Sequence, residues 1–570
     1  MKKKIVLLMM TLTMISSTLA GCGNEYEEPA NTSPISIAQE AGESTAQNTS
    51  NQSSARKSMS NACETTDSVC DEACSEADSS VCMDSGYSLG ADYCEEYYPE
   101  EEFNTEEYSE IKENGFSDVS LSPLSTFSAD VDTASYANLR RFIMDGYRAE
   151  EIPSGAIRIE EMLNYFDYDY NLPKGDEPFG VTATISDCPW NEDSKLCVLG
   201  MQTEEIDFSE AKDSNIVFLI DVSGSMYDEN KLPLLIESFE MLVDNLTEKD
   251  KVSIVTYAGE DSIVIEGVPA SEKKTICDAL EGLEAGGGTN GGQGIISAYD
   301  LAEEYFIEDG NNRVILATDG DFNIGLSNQS DLKDLITEKK ETGVYLSVLG
   351  FGMGNYSDSN METLADAGNG NYAYIDSLSE AKKVLVKELS ANMSTVAEDV
   401  KFQVEFNPAV VSEYRLIGYE DRALANEDFE DDKKDAGEIG AGHSVTVMYE
   451  IKTADSGNKD KKDLKYQKSE LTDEAYGDEW FTLAVRYKEP GKSKSKLLEY
   501  PIGDDEFTKN PSDDFKFASA VAEFGMLMRG SEYVDSVSYK DILSELNDID
   551  LNDEYKEEFY DLVDRARLND

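Results

Sequence analysis

The chain has 570 residues, long enough for several domains, each with its own core. Asp and Glu number 117 against 48 Lys and Arg, a formal net charge of −69. That excludes nucleic acid as a partner, because such a surface needs a basic footprint. The single histidine, His443, rules out His-rich zinc sites and leaves one candidate base for a Ser-His-Asp triad. It lies in the Gly-rich stretch 437–444 ahead of an alternating run, where a surface turn is expected.

Met1-Lys2-Lys3-Lys4 and the apolar run 5–20 form a basic n-region and an h-region, closed by Leu19-Ala20-Gly21-Cys22. This resembles a bacterial lipoprotein signal. It implies removal of residues 1–21, acylation of Cys22, and an extracytoplasmic protein lipid-anchored to the bacterial cell membrane. Contact with the membrane would be through the lipid alone. Residues 22–118 are rich in Ser, Asn, Asp and Glu and poor in aliphatic residues, so they are expected to remain a disordered tether. A flexible coil of that length spans roughly 50–60 Å. Cys63, Cys70, Cys74, Cys82 and Cys94 fall inside it, an odd number for a disulfide knot.

An N-terminal flanking region is expected over 119–207, helices first and then strands. Asp130-Val-Asp132-Thr133 spells the nucleophile motif of haloacid dehalogenase-type phosphotransferases, in which the first Asp is phosphorylated and the second acts as acid/base. That motif should end a buried strand, and Thr126-Phe-Ser-Ala129 is a poor one. The alternative is a helix N-terminus at Asp132 or Thr133. Helices are expected near 137–146 and 157–165, and antiparallel strands near 179–186 and 196–203. Cys188 and Cys197 stand at a spacing that allows a bridge.

The central unit, 208–396, alternates strand and helix. Ile216 to Ile220 reads as a buried strand whose carboxyl end presents Asp221, Ser223 and Ser225, hard oxygen donors suited to a small divalent cation. A helix over 231–246, strands at 251–257 and 262–268, and a helix near 273–283 follow. Gly286-Gly-Gly-Thr289-Asn290-Gly-Gly292 opens a further helix to about 306. It lacks a Lys-Ser/Thr ending and offers the Thr289 hydroxyl instead of a phosphate cradle. Strand 312–318 ends in Thr318-Asp319-Gly320, a second buried strand with an aspartate at its carboxyl end. Helix 332–339, strand 344–349, helix 360–367, strand 372–375 and helix 378–392 complete a series that predicts a doubly wound, mostly parallel sheet.

Asp221-Val-Ser223-Gly-Ser225, then Thr289, then Thr318-Asp319-Gly320, in that order and on those elements, resemble a von Willebrand factor type A domain. The resemblance implies a metal-ion-dependent adhesion site (MIDAS) formed by Asp221, Ser223, Ser225, Thr289 and Asp319. It implies Mg²⁺, with Mn²⁺ and Ca²⁺ as alternatives, and a protein partner that supplies an Asp or Glu carboxylate as the last ligand. An adhesive rather than catalytic role follows, with an envelope scaffold holding a structural metal as the alternative. The phosphotransferase reading of Asp130 and Asp132 is the remote one. Residues 128–136 and 415–424 resemble segments that flank this domain in bacterial von Willebrand A lipoproteins.

From 397 to 505 the pattern alternates, predicting a β-sandwich-like module that the strands near 179–203 join, with the α/β unit inserted between them. Residues 506–570 are expected to close the chain as helices packed on the body.

Overall fold

The computed structural model describes residues 106–129, 132–175, 177–206, 212–259, 261–288, 291–320, 329–354, 356–454 and 471–570. Cys22, the tether cysteines, Asp130 and Thr289 lie outside them.

The N-terminal flank supplies β1 (Ser117–Asp118), β2 (Leu124–Ser128), α1 (Ala134–Met144), α2 (Ile159–Asn164), β3 (Gly180–Asp187) and β4 (Lys195–Gln202). The central unit follows with β5 (Ser214–Asp221), α3 (Leu232–Asn245), β6 (Lys251–Tyr257), β7 (Asp261–Pro269), α4 (Lys273–Glu281), α5 (Gly291–Glu304), β8 (Asn311–Thr318) and α6 (Gln329–Lys340). It continues through β9 (Val344–Phe351), α7 (Asp358–Ala367), β10 (Tyr372–Ile375), α8 (Leu378–Lys382) and α9 (Leu389–Met393). Then come β11 (Thr395–Phe406), β12 (Val411–Ile417), β13 (Gly437–Gly440), β14 (Ser444–Thr453), β15 (Glu479–Lys488) and β16 (Lys496–Gly503). Helices α10 (Asp513–Arg529), α11 (Tyr539–Asn547) and α12 (Glu554–Asn569) end the chain.

The central sheet has six strands in the order β10-β9-β8-β5-β6-β7, parallel except for β7. β5 and β8 are buried along their whole length, as parallel strands covered on both faces must be. Ile216, Phe218 and Ile220 face α3, α4 and the α8–α9 segment, while Val217 and Leu219 face α5, α6 and α7. Pro233 sits in the first turn of α3, where its missing N–H costs nothing. The helix expected over 378–392 is instead two short helices joined by a π-helical segment, Lys383–Lys387, which shifts the apolar face between them.

Two five-stranded assemblies, β1-β12-β14-β4-β3 and β13-β11-β15-β16 with β2 paired on β11, enclose a second core. Strands from both sides of the α/β unit therefore share one sandwich: β14 pairs with β4 through Val447↔Leu199, and β11 with β2 through Phe402↔Phe127. A third core joins α1 and α2 to α10, α11 and α12 around Phe166, Phe517, Phe524 and Phe559. Their rings meet edge to face at 4.9–5.5 Å.

Besides the helix over 378–392, four expectations change. Residues 106–118, expected in the disordered tether, are ordered: Ser117 pairs with Tyr414 and Glu106 with Arg141. Leu124–Ser128 is a strand after all, because β11 supplies the ladder that its own composition did not announce. Cys188 and Cys197 are free thiols: Cys197 points into the sandwich, whereas Cys188, just past the strand end, packs among the helices. His443 lies in a turn ahead of β14 as expected, but that turn follows a strand, β13, and the ring turns inward, with Nδ1 sequestered from solvent.

Candidate metal centre

β5 carries Asp221 to the carboxyl edge of the sheet, fully buried. There the chain leaves the strand, and two other loops are stitched to it through backbone bonds. The Val222 N–H donates to the Tyr257 carbonyl at 3.0 Å, and the Gly286 N–H donates to the Val222 carbonyl at 2.8 Å. The Gly224 N–H donates to the Gly287 carbonyl at 3.1 Å. Gly287 has φ +89°, a conformation open to glycine at little cost. These bonds bring the loop that leads into Thr289 directly beside Ser223-Gly-Ser225.

The Ser223 N–H donates to Asp221 Oδ1 at 2.8 Å, and the Thr318 hydroxyl donates to Oδ2 at 3.3 Å. Burial pushes the Asp221 carboxyl up to about 6, and the charge of Asp319 adds to the rise. The Ser223 and Ser225 hydroxyls lie 2.9 Å apart. Ser223 is buried and Ser225 exposed, so the site opens to solvent on the Ser225 side, while Met226 anchors the loop in the core.

β8 is the parallel neighbour of β5, with Ala317 opposite Ile220, so its end sets Thr318 and Asp319 beside Asp221. Asp319 is fully buried. Its Oδ2 accepts from Lys231 Nζ at 3.1 Å, and its Oδ1 is sequestered without a hydrogen-bond partner. Lys231, at the start of α3, is itself buried. Its stem runs over Gly352, where a Cβ would fall 2.4 Å from the lysine Cε. Gly352, with φ +71°, therefore makes room for the lysine.

The donors present suit a hard divalent cation: two carboxylates and a pair of adjacent hydroxyls, all oxygen. An orphaned carboxylate oxygen in a dry site costs free energy unless something charged meets it, and Asp319 Oδ1 is such an atom. Among the described residues no three His, Cys, Asp or Glu side chains are arranged so that they could hold a metal ion. An ion at this edge would therefore take hydroxyls and water for most of its shell. The structure thus brings together four predicted residues, Asp221, Ser223, Ser225 and Asp319. Sequence reading missed Lys231. A lysine directly before an apolar helix start is the one available signal, and it is indistinguishable there from a solvated N-terminal residue.

The residue proposed as acid/base in the phosphotransferase motif is engaged elsewhere. Asp132 Oδ1 accepts the Tyr372 N–H at 2.9 Å, and Oδ2 pairs with Arg422 at 3.2 Å. Thr133 begins α1 without a side-chain cap.

The family model for the von Willebrand factor type A domain matches residues 215–388, and one described as von Willebrand factor matches 102–198. A third, for the C-terminal part of the uncharacterized protein YfbK, matches 391–568. Over 451 residues the chain is 42% identical to the uncharacterized protein YfbK of Escherichia coli (strain K12), spanning 77% of this chain and 76% of that one. The chain belongs to the YfbK family of von Willebrand factor type A domain proteins. Asp221, Lys231 and Asp319 all fall inside the family's type A segment. Among solved structures, a von Willebrand factor type A protein from Catenulispora acidiphila is 14% identical with a TM-score of 0.40, over 70% of this chain and 91% of that one. Proximal thread matrix protein 1 from the mussel byssus, solved with a zinc-occupied MIDAS motif, is 21% identical with a TM-score of 0.26, over 31% of this chain and 45% of that one.

Proposed function

We propose that this chain is a lipid-anchored, extracytoplasmic protein that captures a protein partner through a Mg²⁺-type ion held at Asp221, Ser223, Ser225, Thr289 and Asp319, and that it is not an enzyme. The observation that carries this is the division of labour at Asp319, with one oxygen on Lys231 and the other unpartnered. Two carboxylates, one ammonium and a divalent ion leave a single positive charge at an edge open to solvent. That charge favours an anionic last ligand, and an exposed Asp or Glu on a protein is the common source of one. The ion, when bound, supplies electrophilic capture of that carboxylate. The chain's own residues hold its position and keep the inner side dry.

The lipoprotein-like segment ending at Cys22 supports the location. The commitment of Asp132 to Tyr372 and Arg422 speaks against acid/base work at that residue. Asp319→Ala and Thr289→Ala should each abolish Mg²⁺-dependent capture in a crosslinking pull-down from the native surface, with folding retained by circular dichroism. Capture that persists in EDTA and in both variants would sink the proposal. A large loss of thermal stability on chelation with capture unchanged would point instead to a structural ion in an envelope scaffold.

A further inference from the structure

At the other end of β8, away from Asp319, a buried strand carries a charge. Arg313 is 2% exposed, and its Nη1 donates to Ser347 Oγ on β9 at 2.6 Å. Its Nε is sequestered with no partner. The guanidinium lies over the Tyr345 ring, 5.7 Å from the centroid, and no ion pair reaches it among the described residues. Glu438 on β13 is the nearby acid; it favours the Arg313 cation from a distance, but burial pushes its carboxyl well above the usual range and so weakens it as a counter-charge. Burial pulls Arg313 down only to about 10, so it remains a cation. A dry, unpaired guanidinium is costly and calls for a counter-charge.

Arg313 lines a cavity of about 40 Å³ with Thr133, Ser347, Asn371, Asn392 and His443. The wall is mostly apolar, with Ile315, Leu349 and Leu385 among its residues, and its polar groups are few and mostly hydrogen-bonded. The Asn371 amide donates to Asn392 Oδ1 at 2.9 Å, and the Asn392 amide donates to the Val384 carbonyl at 2.8 Å. His443 arrives from the turn between β13 and β14, its Nδ1 unpartnered and its pKa lowered by burial, so it faces the cavity as a neutral imidazole. The one carboxylate on the wall, Glu388, is tied to the Lys383 ammonium. Counting Lys383 behind the wall, the Arg313, Lys383 and Glu388 charges sum to one positive charge around the cavity. A single water needs roughly 10–15 Å³ of such space, so this cavity of about 40 Å³ has room for one small ion and a water or two.

We propose that this cavity is a binding site for a monovalent anion of halide size, held by Arg313, Ser347 and His443 where the foot of the α/β sheet meets the β-sandwich. The walls come from β8, β9, α9 and the β13–β14 turn, so the anion would join the two modules as well as neutralise the arginine. It would lie at the opposite end of the sheet from the metal centre and is independent of the function proposed above.

The test is thermal unfolding of the full chain across a sodium chloride series, with gluconate making up a constant ionic strength and Mg²⁺ held fixed. The melting temperature should rise with chloride or bromide and saturate, as expected for a ligand that binds the folded state. The response should vanish in Arg313→Gln and need several-fold more halide in Ser347→Ala. Crystals soaked in bromide should show an anomalous peak beside Arg313. A melt indifferent to halide, as a water-filled cavity would give, overturns the site. So does a halide response unchanged in Arg313→Gln. If Arg313→Gln does not fold, an unchanged response in Ser347→Ala overturns it in the same way.

Discussion

Lys231 decides more of the metal centre's chemistry than its place in the sequence suggests. It is a buried ammonium fixed to one oxygen of Asp319, and it halves the negative charge that the two aspartates present. Replacing it with Met removes that counter-charge from a dry carboxylate. The metal-free protein should lose about 3–5 kcal/mol, the usual result of breaking one side of a buried pair. A divalent ion should then bind more tightly, because nothing competes for Asp319. Chemical denaturation of Lys231→Met in EDTA and in Mg²⁺ measures both effects. The gap in stability between the two conditions should widen relative to the parent chain, and an equal gap would contradict the assignment. Arg313 poses the same physical problem at the other end of β8, a cation where desolvation is nearly complete. There the answer is a cavity in place of a carboxylate.

At the scale of elements, α10 shows how a helical core tolerates a misplaced acid. Glu523 is 1% exposed on a helix that packs into the aromatic cluster, and its Oε2 has no partner. Burial, helped by the charges of Glu545 and Asp541, pushes its carboxyl from 4.5 to about 9. The folded state thus keeps a proton that the unfolded chain releases above pH 4.5, and stability falls as pH rises from there towards 9. Glu523→Gln, which carries no charge at any pH, should flatten that decline. It should stabilise the protein at pH 8 by about 1–3 kcal/mol, since each tenfold change in proton affinity is worth about 1.4 kcal/mol before solvent relaxation is discounted. Urea midpoints of both proteins at pH 5 and pH 8 give the comparison: near-equal at the lower pH, separated at the higher. The split helix α8–α9 is a second case. Its π-helical turn at Lys383–Lys387 re-aims the following residues, placing Asn392 against Asn371 and the arginine cavity.

At the scale of the whole molecule, the sandwich belongs to both ends of the chain. β14 takes β4 as a neighbour, β11 takes β2 and β12 takes β1, so three strands after the α/β unit each lose one neighbour without those before it. Buried arginines tie the layers further. Arg140 of α1 reaches Asp376, Glu380 and Glu558, and Arg158 reaches Asp358 at the start of α7. A fragment of residues 391–570 should therefore fail to fold alone, exposing unpaired edges that aggregate. Co-expression with residues 106–206 should recover a soluble sandwich, read by far-ultraviolet circular dichroism and size exclusion. A monomeric, folded 391–570 fragment would contradict this interdependence.

The strand–helix alternation from 214 to 395 and the order of Asp221, Ser223, Ser225, Thr289 and Asp319 were legible in sequence alone. Buried parallel strands read as unbroken apolar runs, and a polar residue that ends such a run stands out. Alternation made β3, β4, β11, β12, β14 and β15 of the sandwich legible, and helical spacing the closing helices, whereas β1, β2, β13 and β16 were not read as strands. Contacts across long separations were not legible. Nothing local to Leu124–Ser128 announces a strand whose ladder lies some 280 residues on, as Phe127 against Phe402 shows. Nothing near His443 says that it turns inward, and nothing near Lys231 or Arg313 says what a buried cation will meet. Sequence determined which residues end the strands at the carboxyl edge. Tertiary structure alone decided their electrostatics, because the free energy of a buried charge depends on neighbours that folding, not chain order, brings within a few ångströms.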